Sequence, residues 1–439
     1  MDKFSSVMQY LDKNQDALVG FLKELVDRPS INTFFADEAH KNDEAYHEEN
    51  CQKYVASYLE KMGFQIDMWE PDADALSSYK DKPGYYAGRS FRSRPNVAAT
   101  RRGTGGGKSI LLLGHIDVVD PGNKWTVDPF HAVVKDGYVY GRGSVDMKGG
   151  IASMIMAVKA ILDSGIKLKG DVLVGTVADE EAGGMGTLAL IDRGYRAAGC
   201  ILTEPTNLTV APLCRGILWG KLKIQGRSGH IELDPGDWRS GGAVDAIDKA
   251  MLYMQHFSRI NKEWATTRRH PLLPIPCQFN VAQFNAGEYP TAFANSAEIV
   301  FDTQYLPSER DSNSLGGKMK KWIEDYVYKI AQTDEWLSEH VPTIEWLVDA
   351  DCAETSMEEP FVQTLCHSFQ TVGEQVVVEG NTSHTDMGWP VNVGIPTVNF
   401  GPGDSRFAHQ NDEHTPVSQL LSAAKIIAGT ILDWCGTEE

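Results

Sequence analysis

Apolar residues recur at helical spacing near the start of the chain: Phe4, Val7, Met8 and Leu11, then Leu18, Phe21, Leu22 and Leu25. This spacing predicts one or two amphipathic helices over residues 3–27, stopped before Pro29. A further helix is predicted from Glu48 to Met62, with Gly63 as the residue just past its end. Residues 70–95, broken by Pro71, Pro83, Gly84 and Pro95, read as an irregular insertion. The pattern then turns to short apolar β-type runs at 96–101, 109–115, 133–140 (folded about Asp136-Gly137), 171–178 and 199–203. Between them, Ile151 to Val158 is apolar on nearly every side and predicts a buried helix, and 188–193 predicts another. Strands alternating with helices imply an α/β sheet covered on both faces. Ligands of such sheets gather beyond the carboxyl ends of the strands. His115, Asp146, Glu180, Glu181 and Glu204 all fall at such ends or in the loops after them.

From about Cys214 the pattern changes again. Residues 218–225 alternate, as in a half-buried antiparallel strand. A helix over 243–260, strands at 277–285 and 296–305, and a helix over 314–330 follow. This strand-helix-strand-strand-helix order is a split βαβ pattern, and it predicts a separate α+β domain at 214–330. That domain is inserted into a discontinuous one made of residues 1–213 and 331–439. After it come a helix at 360–371, strands at 376–378 and 397–400, and a terminal helix over 417–434.

Composition narrows the partners. A chain of 439 residues exceeds one ordinary core, in keeping with two domains. Its 41 Lys and Arg stand against 60 Asp and Glu, a net charge of −19, which argues against nucleic acid or an anionic membrane as a partner. No run of about 18 apolar residues occurs, and no basic, apolar, small-residue leader opens the chain. The expectation is a cytoplasmic protein. Seven cysteines without a C-x-x-C pair suit reduced thiols rather than a disulfide framework or a thiolate metal site.

One glycine-rich stretch invites a wrong reading. Gly103-Thr-Gly-Gly-Gly-Lys-Ser109 resembles a phosphate-binding loop, but Arg102 stands where its first glycine belongs. It also precedes a strand, whereas such a loop must open a helix so that its N–H groups meet phosphate. We expect a hairpin turn there.

The candidate chemistry lies elsewhere. His115 ends a strand, and Asp117 two residues later can accept its second ring N–H, which fixes a ligating imidazole. Glu180 and Glu181 follow an apolar strand directly, and on strand-like backbone adjacent side chains point to opposite sides, so the two acids can take different tasks. Asp146 lies in the glycine-rich stretch Gly141-Arg-Gly-Ser-Val-Asp146-Met-Lys-Gly-Gly150, and Glu204 in Thr203-Glu-Pro-Thr206. His409 opens His409-Gln-Asn-Asp-Glu413. Singly, each residue has an ordinary structural reading, a helix cap in the case of Asp146. Together, histidines and carboxylates without thiolates suit zinc, with cobalt or manganese able to substitute.

These motifs, in this order, resemble those of the family of acetylornithine deacetylase, succinyl-diaminopimelate desuccinylase, aminoacylase and glutamate-releasing carboxypeptidase. The resemblance spans roughly residues 15–435. It implies an aminopeptidase-like, mixed-sheet di-zinc hydrolase domain with an inserted ferredoxin-like lid and dimerisation domain. His115, Asp146 and Glu204 would hold one Zn2+, and Asp146, Glu181 and His409 the other, with Asp146 bridging. Glu180 would be the general base, Asp117 would support His115, and the Asp146–Met147 peptide would be cis. Gly226-Arg-Ser-Gly-His230 resembles the segment whose histidine reaches a partner subunit's site, which makes His230 the candidate oxyanion donor in a homodimer. Arg215, in Cys214-Arg-Gly216, matches a family arginine near the substrate. Two departures concern the substrate. Relatives often carry arginine in Asp-x-Arg-x-x-Pro, where this chain has Asp302-Thr-Gln304-Tyr-Leu-Pro307. A family asparagine just before that strand has only Thr291 or Asn295 as its counterpart.

The sequence therefore predicts a metal-dependent amidohydrolase that removes an N-acyl group from a small amino compound. The alternatives are a metallo-carboxypeptidase or dipeptidase, a formylaminopyrimidine-type deformylase, and a metal-free scaffold. Intact ligand positions argue against the last.

Overall fold

The computed structural model describes residues 2–37, 39–40 and 43–439. The chain forms two compact units, a larger one of Met1–Cys214, Ala353–Asn381 and Thr385–Glu439, and a smaller one of Arg215–Cys352 with Thr382–His384. In the larger unit, helices α1 (Lys3–Lys13), α2 (Gln15–Val26) and α3 (Glu49–Lys61) precede β1 (Gln65–Trp69), β2 (Asn96–Arg101) and β3 (Ile110–His115). A hairpin of β4 (Val133–Lys135) and β5 (Tyr138–Tyr140) leads to α4 (Lys148–Asp163), β6 (Val172–Val177), α5 (Met185–Asp192), β7 (Cys200–Leu202) and β8 (Leu213–Cys214). The smaller unit holds β9 (Gly216–Gln225), α6 (Ala246–Thr267), β10 (Phe279–Ala286), β11 (Ser296–Tyr305), α7 (Gly317–Ala331), α8 (Glu335–Glu339) and β12 (Thr343–Ala350). The chain then returns to the larger unit with β13 (Ala353–Glu354), α9 (Pro360–Thr371), α10 (Gly388–Asn392), β14 (Thr397–Asn399), β15 (His414–Pro416) and α11 (Val417–Cys435).

The larger unit is built on a six-stranded sheet in the order β1-β2-β6-β3-β7-β14. β1 and β2 run antiparallel to their neighbours and the remaining pairs are parallel, so the sheet is mixed. Its central strands β3 and β6 are buried at every position because both faces are covered. Ile110 and Leu112 of β3 join the core shared with α1 to α4, α9 and α11. Leu111 and Leu113, pointing the other way, pack with α5, α10 and Phe91 and Leu76 of the irregular 70–95 segment. Helix α4 is buried along nearly its whole length, as its apolar run requires. Gly150 lets it approach β7 closely: a Cβ there would lie 2.0 Å from the Thr203 carbonyl oxygen.

The smaller unit carries an antiparallel sheet, β10-β11-β9-β12. Burial alternates along β9 and β11, and α6 packs on the sheet through Tyr253, Phe257, Ile260 and Trp264. This is the expected α+β pattern completed by a fourth strand. The unit therefore runs beyond the expected end at residue 330, because β12 pairs with β9 from Thr343↔Lys223 to Ala350↔Ile217.

Two local expectations fail. The 103–109 stretch is not a hairpin turn, since β6 lies between β2 and β3 in the sheet. Its amides are used by the segment leading into β6: Gly103 N–H donates to Asp171 Oδ1 (2.8 Å), Thr104 to the Leu168 carbonyl (2.9 Å) and Gly105 to that of Lys169 (2.9 Å). None of these three is left for a phosphate. Residues 376–378 form no strand either; Val378 makes an isolated bridge to Val210. All seven cysteines are free thiols. Among the described residues, no helix is long and apolar enough to cross a membrane.

Candidate metal centre

Five chain segments of the larger unit carry the candidate ligands. β3 ends on His115, whose ring is buried. The Gly141–Met147 loop presents Asp146, and its Asp146–Met147 peptide is cis, as the resemblance implied. The turn after β6 carries Glu180 and Glu181, and the loop before β15 carries His409. Asp146 stands between the two histidines. Its Oδ1 lies 3.0 Å from His115 Nε2 and its Oδ2 3.4 Å from His409 Nε2. His409 Nε2 is also 3.1 Å from Glu181 Oε1, and Glu180 Oε2 is 3.9 Å from His115 Nε2. Donor atoms of His115, Asp146 and Glu181 lie within 4.8 Å of one another. His409 adopts φ 59°, the left-handed region that residues other than glycine seldom visit.

Glu204, just past β7, is buried, and its Oε1 has no hydrogen-bond partner. Burying a carboxylate unpaired is costly unless a cation or proton meets it. Burial pushes the Glu204 and Glu180 carboxyls well above the usual carboxylate range, and the surrounding acids add to the effect. Hydrogen bonding to Asp146 and Glu181 pushes His409 up to about 10. The carboxylates of Asp146, Glu180, Glu181 and Glu204 thus gather about the imidazoles of His115 and His409, and the nitrogen and oxygen donors fit divalent cations such as zinc or manganese.

The supporting residues hold three findings that the sequence did not disclose. His115 Nδ1 donates to the backbone carbonyl of Asp117 (2.9 Å), while the Asp117 carboxylate stays 3.6 Å away. That carboxylate instead accepts the N–H groups of Glu180 (3.2 Å) and Glu181 (3.1 Å) and the amide of Asn32 (2.8 Å). It anchors the Glu180-Glu181 turn rather than the imidazole. The turn itself is 3₁₀ rather than strand-like, so the two glutamates diverge through turn geometry and not through a pleat. Glu413 accepts the N–H groups of Val145 (2.8 Å) and Asp146 (3.1 Å) and pairs with buried Arg142 (2.5 Å), which fixes the loop that carries Asp146. Its place four residues after His409 was visible in the sequence; a partner 267 residues earlier was not.

His230 and Arg215 belong to the smaller unit. His230 is exposed, and its Nδ1 accepts the Glu232 N–H (3.2 Å), so the neutral ring carries its proton on Nε2. Arg215 is buried; it donates to the Ile275 carbonyl, its Nη1 lies 3.5 Å from Gln304 Oε1, and its Nε has no partner.

Comparison with known proteins places this architecture. Residues 111–433 match the model of peptidase family M20/M25/M40. An N-formyl-4-amino-5-aminomethyl-2-methylpyrimidine deformylase of Halalkalibacterium halodurans is 27% identical over 98% of this chain and 97% of its own. A succinyl-diaminopimelate desuccinylase of Methylorubrum populi is 41% identical over 72% of this chain and 79% of its own. Among solved structures, a dinuclear metal-binding peptidase of Bacillus subtilis superposes with a TM-score of 0.64 at 15% identity, covering 97% of this chain and all of that one. The match over three-quarters of the sequence and the clustering of its conspicuous histidine and acids have one explanation: the chain belongs to the M20/M25/M40 family of metal-dependent hydrolases.

Proposed function

We propose that this amide hydrolase removes an N-acyl group, formyl first among the candidates, from a small amino compound. The observation that carries the reading is Asp146, whose two carboxylate oxygens each face a different imidazole. We assign His115, Asp146 and Glu204 to one Zn2+ and Asp146, Glu181 and His409 to a second, with Co2+ or Mn2+ as substitutes. When bound, such ions acidify water and polarise an amide carbonyl. Glu180 is the base: half-buried beside His115 and held by Asp117 through its own N–H, it takes a proton from the attacking water. It then returns the proton to the departing amine. His230, with Nε2–H as its donor, is assigned to the developing oxyanion across a homodimer in the cytoplasm.

The acyl-group assignment rests on two supports. The deformylase relative aligns along nearly the whole chain. The aminopyrimidine in that relative's name carries no carboxylate, which agrees with neutral Gln304 where relatives often have arginine. Arg215, with its unpaired Nε, is then a donor to a neutral acceptor of the substrate. The test is a hydrolysis screen of N-formyl and N-acetyl amines, N-succinyl-diaminopimelate and dipeptides, read as formate, acetate, succinate or free amino acid released. Formate release at the highest kcat/KM supports the proposal. Turnover of dipeptides alone would replace it with a peptidase. Sedimentation of the purified protein tests the dimer.

A further inference from the structure

The irregular segment at 70–95 ends in two arginines that converge on the catalytic turn. Arg89 donates through Nη1 to Asp179 Oδ1 (3.0 Å) and through Nη2 to the Ala182 carbonyl (3.1 Å), so one guanidinium spans the Glu180-Glu181 turn from end to end. Arg94 donates to the same Asp179 oxygen (3.1 Å) while its other nitrogens grip Glu48 at 2.8–3.0 Å, and both partners of that pair are buried. Asn32 joins the two anchors of the turn, donating to Asp117 at 2.8 Å and to Asp179 at 3.4 Å. Asp179 itself has φ 74°, and Gly183 (φ 119°) and Gly184 (φ 81°) close the turn at its far end. A non-glycine residue holds the left-handed region only when its surroundings impose it. Here three donors converge on one carboxylate oxygen of that residue. Tyr86 packs against the turn, where a Cβ on Gly183 would lie within 2.4 Å of its ring, and the Arg89 guanidinium stands 4.7 Å from the Tyr86 ring centre. Asn32, Glu48, Arg89 and Arg94 all precede residue 111, where the match to the family model begins.

We propose that Arg89, acting with Arg94 through Asp179, is the positioning residue of the general base: it locks the 179–184 turn so that Glu180 is delivered in one orientation. The inference rests on the reading of Glu180 as base, and the two fail separately. A Glu180→Gln variant that keeps its activity removes the base, whatever Arg89 does. For the clamp, Arg89→Met is compared with the wild-type holoenzyme on the substrate the screen identifies. A small misplacement of a reacting group costs turnover rather than binding, so kcat falls by about tenfold or more while KM stays within about twofold. Bound metal and melting temperature are unchanged, and amide hydrogen exchange accelerates in the peptide spanning 179–186 and not elsewhere. In Arg89→Met with Asp179→Asn, the loss is no larger than in the worse single variant, because both act through one contact. An unchanged kcat, a loss confined to KM, acceleration spread over the unit, or additive losses in the double variant would each overturn the proposal. Should Arg89→Met not fold, Arg89→Lys carries the same readouts. It keeps the charge but reaches only one of the two oxygens.

Discussion

At the scale of residues, the centre concentrates negative charge and leaves its histidines protonated when no cation is present. His409 is pushed up to about 10 by Asp146 and Glu181, and His115 lies well above its ordinary value, since its hydrogen bond to Asp146 and the charge of Glu180 outweigh burial. An imidazole must give up its proton to become a ligand. Metal uptake at pH 7 should therefore release protons, and apparent affinity should climb as pH rises toward 10. Calorimetric titration of metal in two buffers of different ionisation heat counts them. A buffer-independent heat would show that the histidines are not ligands. The same crowding explains why Asp117 serves the backbone. Its carboxylate meets two N–H groups that no secondary structure would satisfy, and only by doing so keeps Glu180 and Glu181 on adjacent but divergent paths.

At the scale of elements, the site depends on how closely α4 lies against the end of β7. Gly150 is the point of contact, and a methyl group there would overlap the Thr203 carbonyl, one residue before Glu204. Gly150→Ala should cost about 1–3 kcal/mol by overpacking. It should also weaken metal retention, because the strand end that must move carries Glu204. Thermal melts and elemental analysis read the two effects, and a variant as stable and as metal-rich as wild type would refute the contact. Such elements were largely legible in the sequence. The β3 run Ile110 to Leu113 is apolar at every position because it faces two cores, and the α4 run Ile151 to Val158 is apolar except at Ser153 because it is buried on every side. His115, Asp146, Glu180-Glu181 and His409 stood out because chemistry restricts them to a few residue types. What stayed hidden depends on pairing across the chain. Strand order was one such case: insertion of β6 between β2 and β3 turned an expected hairpin into a crossover. The Asp179 clamp was another, because its arginines sit in a segment without periodicity, and no local pattern marks an arginine as buried.

At the scale of the whole molecule, the metal ions complete the larger unit as much as they equip it. Without them, Glu204 Oε1 is a buried oxygen with no partner, and the charges of Asp146 and Glu181 add to the cost of ionising its carboxyl. Ligand binding to the native state adds stability by mass action, about 4 kcal/mol at a thousandfold excess over Kd. Chelation should therefore lower the melting temperature by several degrees, and zinc should restore it. Scanning calorimetry with and without chelator checks this, and a melt indifferent to chelator would contradict it.

The smaller unit begins and ends on neighbouring strands. Ile217 and Ala350 face each other in its sheet, and Cys214 and Ala353 face each other in the larger unit. Paired residues of this kind stand only about 5 Å apart. Seen as gene architecture, residues 215–352 are a cassette with both cuts at one address. A short bridge would span the gap between the ends, which makes this the place to excise the cassette or to exchange it for a foreign domain with adjacent termini.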